Sequence, residues 1–411
     1  MNFEVLKRSH VKRNILIGVI IVLILSAIIL TFTRAKYKIT KSLPLVNGTI
    51  NYELSDFNLI GAYIQTEGDN YTQVDEIPTS GYEFNSEKSY CTVNDENINV
   101  TLSYDMETQN LTITPLTTKG TKCYLYFDEK LSAGDTILAS GNAPTGQTTD
   151  WTNNGQGVTY YYTGANPNNW VQFGEFWWRI IRINGDGSIR MIYQGTSANE
   201  TGTETQIGTG AFNSSSDKSY YVGLVHDGSS QHGSGQNSTI MTTLNNWYNS
   251  NLASYEKDYI DTGAGFCSDR NLQSGSWSAT GSHNYAAYVR LYNKGSESAS
   301  LQCSDVDILS QDNGRLPNPI GLITTDEAAL AGVTWNNQKE SYLNTGQDYW
   351  TMSPYRFGSS NARVFIVNVN GNLGNSSVYG AWGVRPVINL KSAIAISGSG
   401  TTSDPFVVVT S

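Results

Sequence analysis

"YGAWGVRPVINL", residues 379–390, sets a glycine on each side of a tryptophan and then an arginine against a proline. Strand alternation puts Val384, Pro386, Ile388 and Leu390 on one face and Arg385, Val387 and Asn389 on the other. Proline lacks an N–H, which confines Pro386 to a strand start or edge. Gly383 lets the backbone turn in after the bulky Trp382. The stretch reads as a closing strand in which Trp382, Gly383, Arg385 and Pro386 are structural. Arg385 is expected to be half-buried and locked by a charge-assisted contact to a carboxylate, not aimed at a ligand.

The preceding chain supplies what this strand would close. "EFWWRIIRINGDGSIRMIYQG", residues 175–195, is a hairpin: two runs of aromatic and β-branched residues flank the turn signal "NGDG". "STIMTTLNNWYNSNLASYEKDYI" then changes to helical spacing, with Ile240, Leu244, Trp247, Tyr248, Tyr255 and Tyr259 near one face and Ser238 as N-cap. "TTDEAALAG" reads as a short helix opened by a capping box from Thr324 to Glu327. "GTTSDPFVVV" adds an edge strand. Further upstream, "INVTLSYD" and "NLTITPL" alternate apolar and polar residues around "METQ", a second hairpin. Residues 45–130 are read as a small immunoglobulin-like β-sandwich. Residues 131–165 form a linker or long loop, with a short helix or strand at "AGDTILA".

The chain has 411 residues, enough for two or three domains, and only 15% are charged. The net charge of −10 is uneven, because residues 1–41 hold eight Lys or Arg against Glu4 alone. The acidic remainder excludes a nucleic-acid partner, which needs a basic face to neutralise phosphates. Within the basic segment, residues 15–32 carry no charge, and at about 1.5 Å per residue such a helix crosses a bilayer core. The run exceeds the apolar core of a cleaved signal peptide, although "TRA" at 33–35 weakly matches a cleavage site. The expected order is a cytoplasmic basic tail (1–13), a transmembrane signal anchor (14–32) contacting the lipid bilayer, a juxtamembrane linker (33–44), the sandwich (45–130), the linker (131–165) and an α+β domain (166–411).

All four cysteines, Cys91, Cys123, Cys267 and Cys303, follow the anchor, which suits an oxidising exterior. They allow three pairings; the local one, Cys91–Cys123 with Cys267–Cys303, gives each domain a bridge, against the plain alternative of four buried thiols. The first bridge is expected to join two strands across the sandwich. The localisation expected is a cell membrane, with the N-terminus cytoplasmic and the following domains extracellular.

"FWWRIIRINGDGSIRMI", the 238–260 helix, "PIGLITTDEA", "YWTMSPYRFGSSNARVFIVNVNG" and "WGVRPVINL" occur in one order over roughly half of the chain. This order resembles a bacterial family of uncharacterised extracellular domains, similar to the C-type-lectin-like fold of formylglycine-generating enzymes and of retroelement-diversified binding proteins. The resemblance implies a C-type-lectin-like α+β domain and a role in binding, adhesion or display. The enzymes of that fold rely on a reactive cysteine pair near its end, and here no cysteine follows Cys303. That departure speaks against an enzyme.

No nucleophile elbow, zincin helix, P-loop or complete dinucleotide fingerprint is present. "VHDG" pairs His226 with Asp227, and is read as an exposed loop and not as a base with its orienter. "CSDVD" offers two carboxylates, too few for Ca²⁺. No metal or cofactor is expected. The binding candidates lie in turn-rich stretches: Tyr355, Arg356, Phe357 and Asn361 in "SPYRFGSSNA", with Asn375 and Tyr379 in "GNLGNSSVYGAW". Tyrosine among Ser, Gly and Asn is the composition of adaptable binding loops. A glycan or protein ligand is the expected partner. The alternatives are an enzyme of the formylglycine-generating type and a pseudopilin-like envelope component.

Overall fold

The structure, a computed structural model, describes residues 58–411 apart from residues 67, 79–80, 107, 116–119, 150–156, 294–298, 336–339, 359 and 410–411. The expected transmembrane segment 14–32 and its flanks lie outside the described residues. Among the described residues no helix is long and apolar enough to cross a membrane. Strand takes up 38% of them and helix 16%. The described fold is therefore mostly β, which corrects the expectation of a sandwich followed by an α+β domain. The helical content shrinks for a local reason: the periodicity read over 238–260 is divided between a helix, Thr239–Asn251, a 3-10 turn, Ala253–Tyr255, and a single further turn, Glu256–Tyr259.

The chain divides into two units, Met1–Lys130 and Leu131–Ser411. In the first, a five-stranded sheet has the order Tyr71–Val74, Asn58–Gln65, Thr121–Glu129, Tyr82–Val93, Glu96–Ile98. Thr121–Glu129 alternates strictly: Cys123, Leu125 and Phe127 are buried, whereas Lys122, Tyr124, Tyr126 and Asp128 face outward. The hairpin of Thr101–Asp105 and Asn110–Thr114 brings Leu102, Tyr104 and Leu111 into the same core. Cys91 and Cys123 are bonded, but they stand directly opposite each other on neighbouring antiparallel strands of one sheet. The bridge thus staples a single layer and does not cross a sandwich, because both cysteines fall on inward positions of paired strands. This corrects the immunoglobulin-like expectation.

In the second unit an eight-stranded sheet runs Val387–Leu390, Ile189–Gly195, Phe176–Ile183, Trp170–Phe173, Phe406–Val408, Ile396–Ser397, and Val158–Tyr161, itself paired with Gly146–Thr149, pairs with the C-terminal end of Phe176–Ile183 at Arg182 and Ile183. The hairpin turn at 184–187 closes through Gly187 N to Asn184 O (2.9 Å), with Gly187 at φ 80°. Both of its strands are buried on both faces, so they sit at the centre of the sheet. Residues 131–165 contribute described elements to this unit. The helix Ala133–Ala139 is capped by Ser132 in a capping box with Asp135. Gly134 lets it lie on the hairpin, because a Cβ there would come within 2.6 Å of the Ile183 side chain and 2.7 Å of Gly187 O.

A six-stranded sheet has the order Thr209–Ala211, Ala381–Gly383, Tyr349–Gly358, Asn361–Val367, Leu373–Ser377, with His283–Asn284 paired to Tyr349–Gly358. The helix Thr239–Asn251 buries Ile240, Met241, Leu244 and Tyr248. Its Trp247 packs at 5.3 Å from the Phe176 ring and 5.6 Å from Tyr193.

The closing stretch passes from one sheet to the other. Ala381–Gly383 belongs to the six-stranded sheet and Val387–Leu390 to the eight-stranded one. Val384, Arg385 and Pro386 make the crossing, and all three are buried. Gly383 is favoured by space, not by a turn: a Cβ there would lie 2.9 Å from the backbone oxygen of Asp348 and would displace the Gln206 amide. Arg385 is fully buried, not half-buried. Its guanidinium donates to Tyr193 O (3.0 and 3.2 Å) and Gln194 Oε1 (2.7 Å) and lies 4.7 Å from the Tyr349 ring centre. Backbone and amide oxygens, not a carboxylate, receive it. Burial pulls its pKa down, and the Tyr349 ring opposes that shift.

Two outcomes follow from this packing. Replacing Cys91 and Cys123 together by alanine opens a 32-residue loop in the unfolded chain and lowers unfolding free energy by about 2–4 kcal/mol in denaturant titration. Arg385→Ala leaves buried carbonyls without their donor and lowers it by on the order of 3 kcal/mol. An unaltered melting temperature for Arg385→Ala would contradict the buried role.

Candidate functional site

Two polar regions in the larger unit stand apart from its apolar core. The first is a buried charge cluster. The capping-box residue Glu327, read from the sequence only as a helix start, accepts from Thr324 N (2.8 Å) and is ion-paired to Arg182 Nε (3.0 Å) and Arg190 Nε (2.6 Å). Beside it Arg290 bridges Asp269 (2.6 Å) and Asp326 (2.7 Å). Burial pushes the Glu327 carboxyl up, but Arg190 and Arg182 overcome it and hold it below the usual carboxylate value. At Asp269 the balance reverses: burial, with Asp326 nearby, outweighs Arg290 and raises the pKa. The adjoining cavity measures about 10 Å³, room for a single water. Charges that are matched and closed over in this way serve the fold.

The second region is a groove of about 860 Å³. One wall is the 3-10 turn Ser219–Val222, carrying Tyr220 and Tyr221, and the strand Val225–His226 paired with Gln236–Asn237. The other is the first half of the helix Thr239–Asn251, which presents Thr239, Thr242, Thr243 and Asn246. That helix can offer a polar face because its apolar residues are all on the opposite side.

The groove wall is fixed by buried polar anchors. Arg270, fully buried, donates Nη2 to Tyr220 O and Nη1 to Val225 O, each at 3.2 Å. Asn213 Nδ2 donates to Tyr221 O (3.0 Å) and Tyr285 Oη to Ser219 O (2.9 Å). The loop 227–235 is pinned as firmly. Asp227 accepts the N–H and Oγ–H of both Ser229 and Ser234 at 2.8–3.0 Å. Burial works against its ionisation, and these hydrogen bonds outweigh burial and hold the carboxyl at about 2. His232 Nδ1 lies 2.8 Å from Asp307 Oδ1, and Arg315 donates to the carbonyls of His232 and Gly233. Asp307 in turn accepts from Ser268 and Ser304, the neighbours of the bonded pair Cys267–Cys303.

His226 lines the groove and is 6% exposed, so the "VHDG" stretch begins as a buried strand and not as an exposed loop. Its ring stacks on Tyr220 (5.7 Å, 23°) and meets Tyr221 edge-on (5.2 Å). Burial first, and Arg270 second, lower its pKa, so it is neutral at pH 7. Its Nδ1 is buried without a partner among the described residues, and Asp227 is engaged by the serines instead. The two therefore do not form a base and its orienter. Among the described residues no group of three or more His, Cys, Asp or Glu could hold a metal.

The binding candidates taken from the sequence lie elsewhere. "SPYRFGSSNA" is not an open loop but the end of a tight hairpin of Tyr349–Gly358 and Asn361–Val367. Tyr355 is buried, stacked on Trp335 (6.0 Å, 5°) and edge-on to Phe365 (4.9 Å); Phe357 is also buried. Arg356 is exposed, with its guanidinium 5.7 Å from the Tyr355 ring centre. Asn361 accepts from Ser377 Oγ (2.8 Å) and Asn375 from Arg363 Nε (2.6 Å). Tyr379 is 62% exposed. None of the six lines the groove. Of the groove residues the sequence reading singles out only the "VHDG" stretch, as an exposed loop, although the polar positions of "TIMTTLNNWYN" are a visible signal.

No protein-family model, no curated protein and no solved structure matches this chain.

The charge cluster gives a pH signature. Glu327, with its folded pKa lowered, contributes stability that is complete above the ordinary glutamate range and is lost as pH falls through the folded value. Glu327→Gln strands two buried arginines, costs about 3–5 kcal/mol at neutral pH, and flattens this acid limb in melting curves. Asp269 has the opposite sign: its cost appears as pH rises above the ordinary aspartate range. Asp269→Asn removes that decline, which runs from the ordinary aspartate value up to about 7.

Proposed function

We propose that this protein is a non-catalytic extracellular binding protein, serving in adhesion or display, that captures its ligand in the groove between the Ser219–Val222 turn and the helix Thr239–Asn251. The groove is the observation that carries this reading. Its volume falls in the range of ligand sites, about 300–1,000 Å³, and buried anchors fix its walls before any ligand arrives. Preorganised walls lose little entropy on binding. The two disulfides fit an extracellular protein. All four cysteines are paired, which favours binding over the thiol chemistry of the formylglycine-generating enzymes.

Beads coated with the full chain test the reading against epithelial cells and isolated bacterial cell walls. Thr242 is exposed on the groove side of its helix, so Thr242→Trp obstructs the groove without touching the core. Wild-type beads are expected to adhere to one of these surfaces, and Thr242→Trp beads to lose at least about tenfold of that adhesion with an unchanged melting temperature. Adhesion equal in both, or to neither surface by wild type, contradicts the proposal.

A further inference from the structure

The lining of the groove is unusual in what it omits. Among the described residues that line it there is no aliphatic side chain, no lysine and no arginine. Its single charge, Asp227, is saturated by four hydrogen bonds from its own loop. A phosphate, a sulfate or an acidic peptide would find no cation there. A lipid chain would find no aliphatic surface against which to bury itself.

The groups that are present have a particular polarity. Thr242 and Thr243 spend their hydroxyl hydrogens on the helix carbonyls of Ser238 (3.2 Å) and Thr239 (3.3 Å). Their oxygens therefore turn lone pairs towards the groove, and they ask for donors. Gln236, Asn237 and Asn246 add amides, each both donor and acceptor. At His226 the buried, unpartnered Nδ1 is better left as a lone pair than as an orphaned N–H, so the ring hydrogen belongs on Nε2 as a donor. Around these polar groups Tyr220 and Tyr221 supply ring surface.

Resting on the reading of the groove as the binding site, we infer that its ligand is an uncharged oligosaccharide. Sugar hydroxyls donate and accept at once, which matches threonine oxygens, amides and a neutral imidazole. The C–H faces of a pyranose supply the apolar counterpart to tyrosine rings. The absence of a free charge on the lining selects neutral sugars over sialylated or sulfated ones.

The test is an array of neutral, sialylated and sulfated oligosaccharides, with unrelated neutral peptides as a separate arm, probed with the full chain. Wild type is expected to be retained by neutral glycans. His226→Phe keeps the ring against Tyr220 but removes its nitrogens, and is expected to weaken that retention about tenfold with an unchanged melting temperature. Thr242→Trp is expected to abolish it. Tyr379→Ala, at an exposed position outside the groove, is expected to change nothing. Retention only by acidic glycans or by peptides, neutral-glycan binding untouched by both groove variants, or no retention at all overturns the inference. If the beads still adhere to cells in a Thr242-dependent way while the neutral arm is blank, the ligand class is wrong and the binding function stands. If both are blank, both fail.

Discussion

The carboxylate of Glu327, held between Arg182 and Arg190, is the contact on which the larger unit is assembled. Arg182 lies on one strand of the central hairpin and Arg190 on the other, and Glu327 opens a helix from a distant part of the chain. All three side chains are buried to 2% exposure or less. Three charges in that position are tolerable only when all are present, since an unpaired one would bear the full desolvation cost. Phe266 closes over Arg190, its ring centre 4.2 Å from the guanidinium.

The same device recurs with backbone oxygens in place of a carboxylate. Arg270 and Arg385 are fully buried and donate to backbone carbonyls. Arg385 ties the crossing between the two sheets to the hairpin strand at Tyr193. Arg270 ties the aromatic turn of the groove to the segment 267–270. Along that segment Cys267 forms a disulfide, Ser268 binds Asp307, Asp269 binds Arg290 and Arg270 holds the groove wall. The charge cluster, the disulfide and the groove are therefore mechanically continuous within four residues. That continuity gives a polar groove walls as defined as those of a core.

Local signals were readable where local chemistry decides them. The "NGDG" turn, the Ser238 cap and the Thr324–Glu327 capping box all appear in the structure at the residues that carry them. The local cysteine pairs are bonded. What a one-dimensional reading missed depends on partners far apart in sequence. Nothing near Glu327 announces that its counter-charges lie at 182 and 190. Nothing in "YGAWGVRPVINL" reveals that Arg385 is covered on every side, because alternation reports one face and not a crossing between sheets. The hairpin tip around Tyr355 resembled a binding loop, yet Tyr355 is consumed by stacking on Trp335. The groove joins residues from 213 to 246, and its polarity is legible only once the apolar face of the helix is known to be spent on the core.

Ligand capture by a preorganised groove is tested most directly by peptide-resolved hydrogen–deuterium exchange on the full chain, with and without a mixture of neutral oligosaccharides. The expected result is added protection confined to residues 213–228 and 236–246, with the buried strands around Arg182 and Arg190 already protected in both states. Protection that instead falls on the hairpin tip around residues 355–361, or exchange identical throughout the chain, would contradict it.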